Sequence, residues 1–153
     1  DYKTVEDIIA NIAQTVSCGG NILINVGPTK DGKIIPLFEE RLLQLGEFLE
    51  VNGEAIYESK AWTHQNDTVA KDVWYTQRGG KVYGIVLQYP RHGDHIELGA
   101  INPSKLKTIH LLGNGDHEIK WEKNAAGHTV LHFPHLNPRS HVKYAYVFRF
   151  ELI

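Results

Sequence analysis

Several groups of residues in this chain have types and spacings that could do chemistry. Gly27-Pro28-Thr29-Lys30-Asp31-Gly32-Lys33 fits the GxxxxGK spacing of a phosphate-binding loop between a strand and a helix. Such a loop wraps phosphate oxygens in backbone N–H groups and needs a hydroxyl after the Lys to hold Mg²⁺. Here the next residue is Ile34, and Pro36 delays the helix whose N-terminus should face the phosphate. The stretch therefore reads as a strand-to-helix turn. Cys18 is the lone cysteine, so it has no internal disulfide partner. A nucleophilic thiolate wants a His nearby and an electropositive pocket, and none of the nine His has a recognisable relation to it. A small buried Cys at a helix end is expected instead.

His128, His132 and His135 come nearest to metal-ligand spacing. They run across a strand into the turn at Pro134, where i and i+4 share a face but i+7 does not, and no Cys or carboxylate completes the set. No metal and no other cofactor is expected. Glu39, Glu40, Glu47 and Glu50 could supply paired carboxylates for hydrolysis, but they fall on the polar face of a helix, a solvated exterior. Asn66-Asp67-Thr68 is a glycosylation sequon, whereas Asn102-Pro103-Ser104 is not, because of its Pro.

The elements that position these residues centre on Ile22, Leu23, Ile24 and Val26, an apolar run closed by Gly27-Pro28 that reads as a strand buried on both faces of a parallel sheet. Before it, Val5, Ile8, Ile9, Ile12, Ala13 and Val16 form the stripe of an amphipathic helix over residues 4–17, capped by Thr4 and stopped at Gly19-Gly20. After it, Leu37, Phe38, Leu42, Leu45, Phe48 and Leu49 mark a second helix from Pro36 to about Val51, ending at Asn52-Gly53. A parallel strand between crossover helices needs parallel neighbours, and the remaining sequence encodes none. The chain is therefore expected to start in the middle of a domain, and its lack of Met agrees.

From about Val69 the pattern changes. Val73–Thr76, Val82–Gln88, His95–Ile101, Thr108–Leu112, His117–Glu122, Thr129–Phe133 and Lys143–Leu152 read as short strands, with a hairpin at Arg78-Gly79-Gly80. Along the last of them Tyr144, Tyr146, Phe148 and Phe150 alternate with Ala145, Val147, Arg149 and Glu151, so one aromatic face should pack inward. Strands at this spacing predict an antiparallel β-sandwich over residues 63–153, following the helical part and connector at 1–62. Trp74, Tyr75, Tyr83 and Trp121 could make that sandwich a carbohydrate-binding module if they face solvent; core packing is the competing expectation.

With 42% hydrophobic and 22% charged residues the chain has the make-up of a water-soluble globular protein. A net charge of -2 argues against a nucleic-acid or anionic-membrane partner, and no apolar run is long enough to span a bilayer. Protonating all the His would carry the charge to +7, which is compatible with an acidic compartment.

Gly19-Gly20-Asn21 through Gly32, then Phe38-Glu39-Glu40-Arg41-Leu42 to Val51-Asn52-Gly53-Glu54-Ala55-Ile56-Tyr57, resembles the α-L-fucosidases of glycoside hydrolase family 29. The resemblance covers about residues 4–62 and implies an α+β composite: the last strand and flanking helices of a (β/α)8-type catalytic barrel, followed by the sandwich. It implies a retaining exo-glycosidase that removes terminal α-L-fucose from glycoconjugates through a carboxylate nucleophile and a second carboxyl about 5 Å away. Both catalytic groups would lie upstream, with the N-terminal barrel portion as this chain's partner and fucosylated glycans as substrate. The oligomeric state is left open, a homo-oligomer included. Asn25, Gly27, Pro28 and Thr29 would approach the rim of the site, because barrel enzymes keep their sites at the C-terminal ends of strands. Asn25 is then either a support behind the sugar-contacting residues or simply part of the turn. Family members act in lysosomes or outside cells, a setting in which Asn66 would be glycosylated.

Overall fold

In the computed structural model, which describes residues 2–153, the first helix opens where the sequence supplies a cap. Helix α1 spans Val5–Ser17. The Thr4 hydroxyl accepts from the Asp7 N–H at 3.1 Å while the Asp7 carboxylate accepts from the Thr4 N–H at 3.2 Å, a reciprocal box that satisfies two orphan donors. The helix stops where Gly19 takes φ +80°, a conformation that costs glycine little. Helix α2 spans Pro36–Asn52, with Pro36 at a position that has no intrahelical N–H bond to lose. A single 3₁₀ turn, Gly53–Ala55, follows.

Among the described residues seven strands make two antiparallel sheets: β1 (Val73–Arg78), β2 (Lys81–Val86), β3 (His95–Leu98), β4 (Leu106–Leu111), β5 (Trp121–Lys123), β6 (Thr129–His132) and β7 (Tyr146–Leu152). The larger sheet has the order β1-β2-β7-β4 and the smaller β3-β6-β5. Arg78 pairs with Lys81 across Gly79 and Gly80, whose φ values of +58° and +77° are those a two-residue hairpin turn requires. The sandwich core between the sheets holds Tyr75, Leu98, Ile109, Leu131, Phe148 and Phe150.

The other face of the larger sheet is covered as well. Tyr83, Ile85, Ala145 and Val147 pack under Ile9, Ile12 and Ala13 of α1 and Leu45 and Phe48 of α2. The molecule thus has three layers: helices, four-stranded sheet and three-stranded sheet. Strand β7 lies in the middle, so its Val147 and Phe148, on opposite faces, are both fully buried. The aromatic face turns inward as expected through Phe148 and Phe150, but Tyr144 does not join it. Its φ of +72° and the Ala145 N–H to Lys143 carbonyl bond make a tight turn before the strand begins, and its hydroxyl donates to Glu47 of α2 at 3.2 Å.

Two other strands are displaced for identifiable reasons. β3 ends at Leu98, short of Ile101, because the N–H groups of Gly99 and Ala100 donate to the Asp67 carboxylate instead of to a neighbouring strand. Residues 118 and 119 pair with β4 before the chain crosses to β6 as β5, which splits the expected His117–Glu122 strand between the two sheets.

The largest departure is at Ile22–Val26. No strand forms there, and Leu23 is 92% exposed. The expectation of a strand buried on both faces is not met in this chain, because no segment among the described residues offers its backbone a parallel partner.

Candidate functional site

The unpaired segment and the two helices beside it form a groove. α1 contributes Ile8 and Asn11, and the first half of α2 contributes Leu37, Phe38, Arg41 and Leu42. Together with residues 22–26 and with Tyr2 and Lys3 they enclose a groove of about 350 Å³. The apolar stripe of α2 is thereby divided: Leu45 and Phe48 are buried against the sheet, while Leu37, Phe38 and Leu42 remain half-exposed in the groove. Its lip is held by the Arg41 Nε–H donating to the Lys3 carbonyl at 3.2 Å and by the Tyr2 ring 5.4 Å from that of Phe38.

Along the segment the exposure alternates. Ile22 and Ile24 are each 37% exposed and Val26 is half-buried, whereas Leu23 and Asn25 are open. An extended chain sends successive side chains to opposite sides, so Ile22, Ile24 and Val26 lean toward the helices and Leu23 and Asn25 away from them. Among the described residues no Asp or Glu lines the groove. Two carboxyl groups about 5 Å apart, the requirement for retaining glycoside hydrolysis, are thus not assembled around it.

The loop that follows folds on itself. The Thr29 N–H donates to the Lys33 carbonyl at 2.7 Å, the Gly32 N–H to the Thr29 carbonyl at 2.9 Å, and the Lys33 N–H to the Thr29 hydroxyl at 3.1 Å. These amides are spent inside the turn and cannot cradle a phosphate, and α2 starts only at Pro36. Gly27 and Pro28 are exposed beside the turn, and Thr29 is half-buried and closes it.

The remaining candidates are dispersed. Cys18 is exposed rather than buried: it stands at the C-cap of α1, where its backbone turns out of the helix. His128 Nδ1 lies 2.8 Å from Glu97, and His132 Nε2 lies 3.4 Å from Glu122 on the same outer face of the small sheet; His135 is exposed beyond the end of β6. With Asn124 also donating, hydrogen bonding from His128 holds the Glu97 carboxyl below its ordinary range. Glu47 receives Lys143 as well as Tyr144, and Glu39 and Glu40 are exposed on α2. Tyr75 and Tyr83 are buried and so offer no sugar platform, and Trp74 and Trp121 are partly buried against the two cores. Among the described residues no helix is long and apolar enough to cross a membrane.

Two polar clusters had no reading in the sequence. Asp67 is buried, and its carboxylate accepts from the N–H groups of Val69, Ala70, Gly99 and Ala100 at 2.8–3.0 Å and from the Tyr75 hydroxyl at 2.7 Å. Burial alone would push its pKa up, but these donors outweigh it and hold the carboxyl below its usual 3.8. Asp followed by small and β-branched residues at a chain reversal was the available signal, since such a carboxylate can turn back on the N–H groups two and three residues on. The second cluster joins helices to sheet: the Tyr83 hydroxyl donates to Glu54 at 2.6 Å, and Arg149 approaches the same carboxylate at 3.6 Å. Burial first, then the bond to Glu54, raises the Tyr83 pKa.

The sequon is built into the edge of the larger sheet. Asn66 is half-buried, and its Nδ2 donates to the carbonyls of Lys71 at 2.9 Å and Val73 at 3.0 Å.

Residues 65–151 match the family profile described as the α-L-fucosidase C-terminal domain, and residues 1–54 match the profile described as α-L-fucosidase. An α-L-fucosidase of Branchiostoma floridae is 50% identical over 113 residues, which is 74% of this chain and 25% of that protein. The plasma α-L-fucosidase of Rattus norvegicus is 45% identical over 139 residues, 90% of this chain and 30% of that protein. Among solved structures, the Thermotoga maritima α-fucosidase in complex with fucose superposes with a TM-score of 0.79 at 27% identity, over 97% of this chain and 34% of that one. The α-L-fucosidase isoenzyme 1 of Paenibacillus thiaminolyticus gives a TM-score of 0.82 at 26% identity, over 100% of this chain and 35% of that one. The chain spans about a quarter to a third of the curated relatives it matches.

Proposed function

The chain belongs to the α-L-fucosidase family, and from that premise we propose that it forms the carboxy-terminal part of a retaining enzyme that removes terminal α-L-fucose from glycoconjugates. One observation carries the reading: an apolar segment with the composition of a buried strand lies open beside two helices whose own apolar residues are half-uncovered toward it. In the whole enzyme an upstream barrel portion supplies the parallel strands on both sides of Ile22–Val26. Residues 1–62 then complete the barrel, and residues 63–153 buttress it through the helix–sheet layer.

The chemistry divides accordingly. The upstream portion carries the nucleophilic carboxylate that attacks the anomeric carbon and the carboxyl that protonates the leaving oxygen, then deprotonates the attacking water. This chain supplies geometry. Leu23 and Asn25, on the side away from the helices, face the barrel interior, with Asn25 nearer the C-terminal end where substrate sits. Asn25 supports the sugar-contacting residues from behind, and Gly27, Pro28 and Thr29 shape the rim through the self-closed turn. The reading includes passage through the secretory route to a lysosomal or extracellular destination, with a glycan on Asn66. Association into a homo-oligomer is compatible with it.

The test is hydrolysis of a chromogenic α-L-fucoside at acidic pH by the purified 153-residue chain and by the same chain co-expressed with the upstream portion. The expected result is turnover only in the second sample. Turnover by the chain alone, at the mass of the chain alone, would place a carboxylate pair within it and overturn the division of labour.

A further inference from the structure

We propose that Asn66 serves twice, with its Nδ2 both accepting the glycan and acting as a structural hydrogen-bond donor, one of whose two bonds survives the modification. The inference rests on the secretory routing given above for its first half and on geometry alone for its second. A side-chain amide nitrogen carries two hydrogens, and here both are used, toward the Lys71 and Val73 carbonyls. In N-glycosylation the Nδ2–C1 bond forms as the C1–O bond to the pyrophosphate of a polyprenyl-linked oligosaccharide breaks, and one Nδ2 hydrogen leaves as a proton. One N–H remains.

The surroundings decide which. The bond to Lys71 is exposed, whereas that to Val73 lies in the part-buried register where residue 66 bridges Trp74 of β1. The sugar then replaces the hydrogen of the exposed bond, toward Lys71, and the part-buried bond to Val73 is the one that survives. Thr68, whose hydroxyl the acceptor tripeptide needs, is an exposed residue whose hydroxyl turns against Gly99 in the folded chain. Asp67 between them is locked by its five hydrogen bonds, so the backbone of the sequon stands on a rigid base.

Different ways of removing the glycan should then have different effects. An endoglycosidase leaves one sugar and the remaining N–H in place. A peptide N-glycosidase hydrolyses the amide to Asp, which removes both donors and sets a carboxylate against two carbonyl oxygens, next to the Asp67 anion. For the whole enzyme from a secretory host, the melting temperature should be unchanged after endoglycosidase and lower by about 3–6 °C after peptide N-glycosidase. The drop should vanish in Thr68→Ala, which never receives this glycan. In bacterially produced protein, Asn66→Asp should show a similar fall without any sugar. An unmodified Asn66 peptide from the secretory host would overturn the acceptor half; Asn66→Asp melting like wild type would overturn the donor half.

Discussion

Ile22–Val26 and Tyr146–Phe148 are both largely apolar stretches that read as strands, yet one lies in the open and the other is packed on both faces. β7 is hydrogen-bonded to β2 on one side and β4 on the other, with the helices above it and the second sheet below. Residues 22–26 have helices on one side and, among the described residues, no strand paired with their backbone. Apolar content therefore states a capacity for burial, and only the supply of partners to backbone and side chains realises it.

That contrast can be broken most forcefully at its two centres. Phe148→Ala removes a fully buried ring and should cost about 3–5 kcal/mol, measured by chemical unfolding of the chain. Leu23→Ala, at 92% exposure, should change the same measurement by less than about 0.5 kcal/mol. In the whole enzyme the comparison should invert for polarity: Leu23→Asp, silent in the chain alone, should abolish fucoside hydrolysis or soluble expression by placing an unpaired charge in a barrel. Indifference of the whole enzyme to Leu23→Asp would sink the strand assignment.

Asp67→Asn should cost about 2–3 kcal/mol near neutral pH, because the charged acceptor at the centre of its donors is lost. Its folded pKa is depressed, so its contribution is fully present above the unfolded carboxylate pKa and is lost as pH falls through the lower folded value. Thermal unfolding across pH 2–7 should show wild type losing stability below about pH 4, with a shallower decline in the variant. Parallel curves would rule Asp67 out as the source.

Smaller effects test the layer that joins the helices to β7. Tyr83→Phe removes the hydroxyl that donates to Glu54 and should cost about 1–2 kcal/mol in chemical unfolding. Arg78→Ala, whose guanidinium meets Glu58 at 3.4 Å where both side chains are well exposed, should leave the unfolding midpoint unchanged. A large effect there would mean that the edge of β1 carries load the layers do not.

Local features were legible because local chemistry encodes them. Thr4 and Asp7 mark one helix start, Pro36 the other, Gly79-Gly80 the hairpin, and the alternation in β7 its inward aromatic face. Features that depend on what another part of the chain brings were not legible. Cys18 is exposed although its type favours burial, because the chain turns outward after α1. The end of β3 is set by a carboxylate 32 residues away in sequence, which draws the Gly99 N–H out of the ladder.

By itself, then, the sequence determined the helices, the strand-rich second half and the family, since propensity, capping and turn chemistry act over a few residues and the Gly19–Tyr57 motif run is long enough to be specific. The tertiary structure decided which apolar faces are covered. It set the helices on the larger sheet and not apart from it, buried Tyr75 and Tyr83, gathered five donors around Asp67, and left Ile22–Val26 open. Burial and hydrogen-bond satisfaction are properties of pairs, and the second member of each pair is fixed only when the chain has folded.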